Sequence, residues 1–305
     1  MAQRGMIDGV VYDIQGGRGM RDGVVYDIRS GRGMRDGVVY DISLGDGPVS
    51  VLEDNSWANI RAASDAGIAA DIWKVGDTKT IVLNGTVGNT TFDNLAVDLF
   101  IVGFDHNSEV EGANRIHFQL GRIGGKDVCL CDSAYGTEVS AAGYFAMDPD
   151  GVYGPWSSSP MRKNILGGDV APTSPRSNTL MACLPADLRS VMKSVVKYTS
   201  RSALDSASAV VSTTDYISLM AEYEVHGRHE CANMYEQNYQ EQYAYYANGN
   251  KKQTYKHTQT GSAAMRWLRS MTNVNSNTAC EVEANGSANQ ETAERSLGIA
   301  PILFV

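Results

Sequence analysis

Residues 94–107 read NLAVDLFIVGFDHN. An apolar run of this kind, too short to span a bilayer and closed by a polar Asp-His-Asn, predicts a strand buried on both faces at the centre of a sheet. Its neighbours extend the pattern. Residues 114–123, NRIHFQLGRI, alternate and predict a second strand. Residues 74–87, KVGDTKTIVLNGTV, predict a hairpin turning at Asn84-Gly85. Before it, residues 56–73 predict a helix with Ser56 as N-cap and Trp57, Ile60, Ala63 and Gly67 along one face. Further on, residues 157–167 and 182–200 predict helices. The second has Pro185 in its first turn and a stripe of Leu188, Val191, Met192 and Val195. Residues 215–225, 264–272, 279–287 and 297–305 predict strands. Strands and helices do not alternate regularly, which argues against a doubly wound parallel sheet. The expected class is α+β, mostly antiparallel, with two or three helices.

The chain has 305 residues, a net charge of −9, 26 Lys plus Arg and no basic block. Nucleic-acid binding needs clustered cations and is disfavoured. No apolar run approaches a bilayer's thickness, so membrane insertion is not expected. The opening MAQRGMIDG lacks a hydrophobic signal core. Synthesis in the cytoplasm is expected, with export only as part of a larger particle. The five cysteines, Cys129, Cys131, Cys183, Cys231 and Cys280, are odd in number and scattered, and are expected to be reduced.

Residues 1–48 hold three copies of a fourteen-residue repeat, beginning at Met6, Met20 and Met34, each carrying Asp-Gly-Val-Val-Tyr-Asp-Ile. GVVYDI predicts a short strand, with turns at the Gly-rich GGRG and SGRG and at the Asp-Gly steps. One such unit buries too little surface to order itself, so the repeats need neighbours. Residues 49–75 are expected to be a linker helix and 76–305 a ligand-binding domain.

The order DYISLMAEYEV (215–225), EQNYQEQYAYY, RWLRS and GIAPILFV resembles a family of bacterial and phage domains of unknown function. The upstream pieces VGDTKTIVLNG, FIVGFDHN, RIHFQLG, WSSSPMRKNIL and LPADLRSVMKSV fit as well, so the resemblance covers roughly residues 70–305. It departs at the end, where GIAPILF lacks the usual Arg before Pro301. That family is similar to the C-type-lectin-like fold, some of whose phage relatives are the variable proteins of diversity-generating retroelements. The repeats resemble leaders of phage tail proteins. Together these resemblances imply a non-enzymatic tail adhesin, made in the bacterial cytoplasm and carried on the virion. They also imply a homotrimer that binds a host cell-surface protein or glycan and contacts other tail proteins. The calcium signatures Glu-Pro-Asn and Trp-Asn-Asp of sugar-binding lectins are absent, and no metal or other cofactor is expected.

The expected ligand-binding residues are Tyr245, Tyr246, Trp267, Met271, Thr272, Asn273, Asn275, Asn277, Asn285, Ser287 and Asn289. Tyrosine with Asn and Ser is the vocabulary of adaptable recognition surfaces. Glu222 and Glu224, two apart on the expected strand, share a face, and either suits a semi-buried pair with Arg269. An enzymatic alternative, cleavage of polysaccharide or cell wall, needs two convergent acids, with Glu222, Glu224 and Asp215 as candidates. A third alternative is a structural virion or baseplate protein. His226, His229 and Cys231 offer zinc-ligand chemistry without a fourth ligand and are expected to be surface polar residues. His106 and His117 are expected to be a hydrogen-bonded core pair.

Overall fold

The computed structural model describes residues 3–7, 10–21, 24–35, 38–42, 47–151 and 154–305, the first four stretches by their backbone. The chain divides into two compact units, Met1–Asn55 and Ser56–Val305.

In the first unit the repeats form an antiparallel meander: β1 (Gln3–Ile7), β2 (Val10–Arg21), β3 (Val24–Arg35) and β4 (Val38–Ile42), in that order. The expected breaks at GGRG and SGRG do not occur, because β2 and β3 run straight through them. The register explains this: Gly19 stands opposite Tyr26, and Gly33 opposite Tyr12 and Tyr40. An aromatic residue opposite glycine is one device that keeps glycine in a sheet. The Asp-Gly turns at 8–9, 22–23 and 36–37 lie outside the described residues.

The second unit opens with α1 (Trp57–Asp65), whose N-cap Ser56 accepts a hydrogen bond from Asn59 N as expected. Trp57, Ile60 and Ala63 are buried, so this helix belongs to the second unit's core and is not a linker. It is followed by α2 (Ala69–Ile72), β5 (Thr78–Val87), β6 (Thr90–Phe104), α3 (Ser108–Glu111), β7 (Ile116–Ile123) and β8 (Lys126–Cys129). The turn between β5 and β6 falls at Gly88-Asn89, not at Asn84-Gly85. Two β6 residues, Asp93 and Asn94, stand against Asn84 of β5 in a bulge; Asn94 takes φ +49°, and the extra residue lets Phe92 and Val97, five apart, both stay buried. β6 is buried continuously from Leu99 to Gly103, as its composition predicts.

The sequence from 180 to 200 contains no long helix. It breaks into α4 (Leu180–Cys183), α5 (Ala186–Val191) and a strand, β9 (Val195–Ser200). Val195, Lys197 and Thr199 are buried in alternation, so the helical stripe gives way to the period of a strand. The strand predicted over 215–225 is also replaced: β10 (Val210–Asp215) pairs with β9, β11 (Ile217–Ser218) is short, and Glu222–His226 is a helical turn, α6. Then come α7 (Ala244–Ala247), β12 (Thr254–Lys256), β13 (Gln259–Ala264), β14 (Arg266–Met271), β15 (Thr278–Val282), β16 (Ala288–Thr292) and β17 (Ile302–Phe304).

The main sheet runs β11-β17-β7-β8-β12-β13, with β6 joined to β7 and β5 to β6, and β14-β15-β16 forms a smaller sheet. Pairing is antiparallel except between β8 and β12. The unit is α+β, but its helical content is spread over seven short α segments among the described residues rather than two or three helices, and α1 alone exceeds six residues. Between the sheets, Phe100, Val195, Met220, Tyr243, Leu268 and Phe304 share one core.

Candidate functional site

α6, β9 and β14 bring Glu224, Lys197 and Arg269 together in the core, where Glu111, His106, His117 and Tyr243 meet them. Arg269 grips Glu224 with both guanidinium ends, and Nη2 lies 2.8 Å from Oε1. The same Glu224 Oε1 accepts a hydrogen bond from Lys197 Nζ at 2.9 Å. Lys197 also donates to the Tyr243 hydroxyl at 2.9 Å and lies 2.7 Å from Glu111 Oε2. His106 stacks on Tyr243 at 3.7 Å, and His117 Nδ1 is 3.0 Å from the Tyr243 hydroxyl. The expected His106–His117 core pair is therefore real as proximity, 5.6 Å between ring centres, but it is organised by Tyr243. Burial raises a carboxyl, yet at Glu224 the charges of Arg269 and Lys197 outweigh it and hold the group well below the usual range. At Glu111 burial wins and pushes it up to about 7. Burial, helped by the charge of Lys197, pushes the His106 imidazole down to about 3.

His106, Glu111 and Glu224 bring ligand-type atoms within 4.8 Å of one another. The Lys197 ammonium contacts both carboxylates, so the positive charge at their meeting point is already supplied by the chain.

The acids named for an enzymatic reading are spent on structure. Glu222 lies on α6, not on a strand beside Glu224, and accepts from Cys231 N at 3.1 Å and Ala232 N at 2.8 Å. Asp215 holds Arg162 Nε at 2.5 Å and Trp156 Nε1 at 3.0 Å. All three carboxylates, Asp215, Glu222 and Glu224, are 0% exposed. Glu236, equally buried, accepts from Ser200 N and from the Ser270 hydroxyl. Buried carboxylates satisfied by backbone N–H groups fix the chain that donates to them. Glu222 and Glu236 thus pin the segment 227–240 against β9 and β14.

That segment meets two others at the surface. Asn233 Nδ2 donates to Leu204 O and Ser206 O, both at 2.8 Å, and Asp205 Oδ1 accepts from Met234 N at 2.8 Å. Asn273 N donates to Cys231 O at 2.9 Å, and Ala232 bridges to Thr272. Between these loops lies an open groove of ≈ 410 Å³, lined among others by Asp205, Tyr223, His229, Met234, Gln237 and Asn273. His229 is not the exposed residue expected. Its side chain is 8% exposed, stacked on Tyr223 and 3.7 Å from Glu222, while His226 and Cys231 are half-buried.

The residues predicted to bind ligand separate into three groups. Tyr245, Tyr246, Trp267, Met271 and Thr272 are buried. Trp267 Nε1 donates to Phe145 O at 2.8 Å, Tyr246 OH donates to Gln119 Oε1 at 2.6 Å, and Tyr245 OH donates to Asp127 Oδ2 at 2.8 Å. These side chains support the loops and do not face a ligand: aromatic surface in a polar stretch is drawn inward wherever its polar tip finds a partner. Asn273, Asn275 and Asn277 lie on the loop between β14 and β15, and Asn273 lines the groove. Asn285 and Ser287 lie on the turn between β15 and β16, where Asn285 Oδ1 accepts from Ser287 N at 2.8 Å, and Asn289 lies on β16 itself, opposite Glu281. The five residues of β15 separate the two polar loops by about 17 Å, too far for one small ligand to touch both.

Sequence reasoning missed the aliphatic part of the surface. Leu204 (61% exposed), Met234 (46%) and Val274 (73%) stand on the three joined loops, with Tyr235 and Tyr239 on the middle one. Apolar residues flanked by Ser, Asp and Asn were the available signal. Among the comparisons with known proteins, residues 177–305 match the family described as "Domain of unknown function (DUF6273)". That stretch contains all three loops and the Lys197–Glu224–Arg269 cluster. No curated protein and no solved structure matches the chain significantly.

Proposed function

We propose that Ser56–Val305 is a C-type-lectin-like recognition module, the head of a phage tail adhesin, and that it binds a host-surface protein or glycan through the loops 202–206, 227–240 and 272–277 without catalysing a reaction. One observation carries this reading. Of seven exposed large hydrophobic residues among the described residues of this unit, five lie on these three loops. Apolar side chains concentrated on polar loops mark interaction surfaces. Hydrogen bonds between the loops hold them in place before any ligand arrives, which lowers the cost of binding. The Asn side chains of 273–277 supply polar contacts around the apolar ones. Carriage on the virion and contacts with other tail proteins belong to the same reading and rest on the resemblance of the repeats.

The test is binding of the fluorescently labelled full chain to a panel of whole bacterial cells, compared with a Met234→Asp/Val274→Asp variant. Both side chains are exposed, so folding stability should change by no more than about 0.5 kcal/mol per site. Binding should weaken by about tenfold or more, the effect of roughly 1–2 kcal/mol at an interface. A folded variant that binds every strain as the parent does would refute the assignment.

A further inference from the structure

The meander formed by the repeats has two complementary open edges. Its strands each consist of two halves. β2 and β3 begin with Val-Val-Tyr-Asp-Ile and end with Gly-Arg-Gly-Met-Arg. Every observed pairing sets one kind of half against the other: Arg18 opposite Asp27, Gly19 opposite Tyr26 and Met20 opposite Val25 between β2 and β3, and Arg32 opposite Asp41 between β3 and β4. The outer strands are single halves. β1 is a Gly-Arg-Gly-Met-type half paired with Val10–Ile14 of β2, and β4 is a Val-Val-Tyr-Asp-Ile half paired with Gly31–Arg35 of β3. Among the described residues, nothing pairs with Gly16–Arg21 on the outer side of β2, or with Val24–Arg29 on the outer side of β3. The sequence after Ile42 is SLGDGP, which does not supply the missing Gly-Arg-Gly-Met-Arg half.

We infer that the partner of this sheet is a second copy of the same chain, whose β4 aligns end to end with β1 to complete one full strand between β2 of one copy and β3 of the next. The composite strand has the halves in the order found inside the meander, Val-Val-Tyr-Asp-Ile first and Gly-Met-Ile last. Each half then has the opposite kind of half on both sides, as Val10–Ile14 of β2 already has between β1 and β3. In that register Asp41 of the second copy stands opposite Arg18, its Tyr40 opposite Gly19, and its Asp27 opposite Arg4. By repeat alignment Ile42 corresponds to Ile14 and Gln3 to Gly17, which leaves the two positions 15 and 16 between the joined ends. Unpaired strand edges template addition of further strands, and opposite-charge pairs fix their register. The contact joins two different edges, so it is heterologous and closes into a ring or grows. A ring of three copies is the trimer that the resemblance implies.

The test uses the full chain. Light scattering of the unaltered protein should give a multiple of 32.9 kDa. In a Gly19→Cys/Tyr40→Cys variant, mild oxidation should join chains through these positions and give a ladder on a non-reducing gel. Within one chain the two positions are about 20 Å or more apart, so they do not join internally. A Gly5→Cys/Tyr40→Cys variant places both cysteines along one composite strand, about seven residues apart, and should lose the ladder. The unaltered chain and the single variants control for the native cysteines. A 32.9 kDa species at every concentration would overturn the inference. An oligomer with no ladder above the mismatched variant would overturn it as well, because association would then run through another surface. If the paired variant misfolds, the mass of the unaltered chain still decides.

Discussion

Arg269→Ala will unfold the second unit at markedly lower denaturant than the parent, with a loss of about 3–5 kcal/mol, the usual cost of breaking a buried ion pair by removing one partner. Its guanidinium carries two bonds to Glu224, one to the Thr199 hydroxyl at 3.0 Å and one to Leu219 O at 2.9 Å. Removing it leaves Glu224 buried, with Lys197 shared between two carboxylates. Arg269→Lys should recover little, because a single ammonium cannot reproduce the planar two-ended grip. A urea titration followed by tryptophan fluorescence gives the midpoint directly. A loss under about 1 kcal/mol would mean that this network is incidental to the fold.

The second large effect separates support from contact. Trp267→Ala should cost about 3–5 kcal/mol by opening a cavity in the core and leaving Phe145 O with only the longer bond from Leu297 N at 3.3 Å. Asn275→Ala, on the exposed loop between β14 and β15, should cost no more than about 0.5 kcal/mol. Both positions satisfy the composition rule for a ligand surface, yet only the second is on the outside. Thermal unfolding of the two variants side by side checks this. A Trp267→Ala protein as stable as the parent would return Trp267 to the surface.

These two cases show what the residues disclose and what they withhold. The apolar run at 94–104 announced a central strand; β6 is paired on both sides, but only Leu99–Gly103 is buried without alternation, and residues 94–98 still alternate or face outward. The cap at Ser56 is local chemistry and is equally legible. The pairing of Arg269 with an acid of α6 was legible as a choice between two residues, because few other partners can satisfy a buried guanidinium. Residues 182–200 misled because Leu188, Val191, Met192 and Val195 fit a helical stripe. The chain instead turns after α5, and Lys197 faces inward on β9 only because Glu111 and Glu224 wait there. No local pattern marks a lysine that will be neutralised by residues far away in sequence. Glu222 and Glu224 misled similarly. Spacing by two suggested one face of a strand, but on a helical turn it sends them to different partners, one to the backbone of 231–232 and the other to Arg269. The candidate surface was half legible. The Asn-rich loop stood out by composition, whereas its apolar neighbours Leu204 and Met234 reach it through contacts distant in sequence: Asn273 N to Cys231 O ties it to the segment of Met234, and the bonds of Asn233 and Asp205 tie that segment to Leu204.

The most direct test of the recognition face is hydrogen exchange of the full chain with and without saturating cell envelope from a strain it binds. Binding through this face predicts slowed exchange in residues 202–206, 227–240 and 272–277, with the turn at 283–287 unchanged. Protection confined to 283–287, or binding that leaves all three loops exchanging as in the free chain, would contradict it.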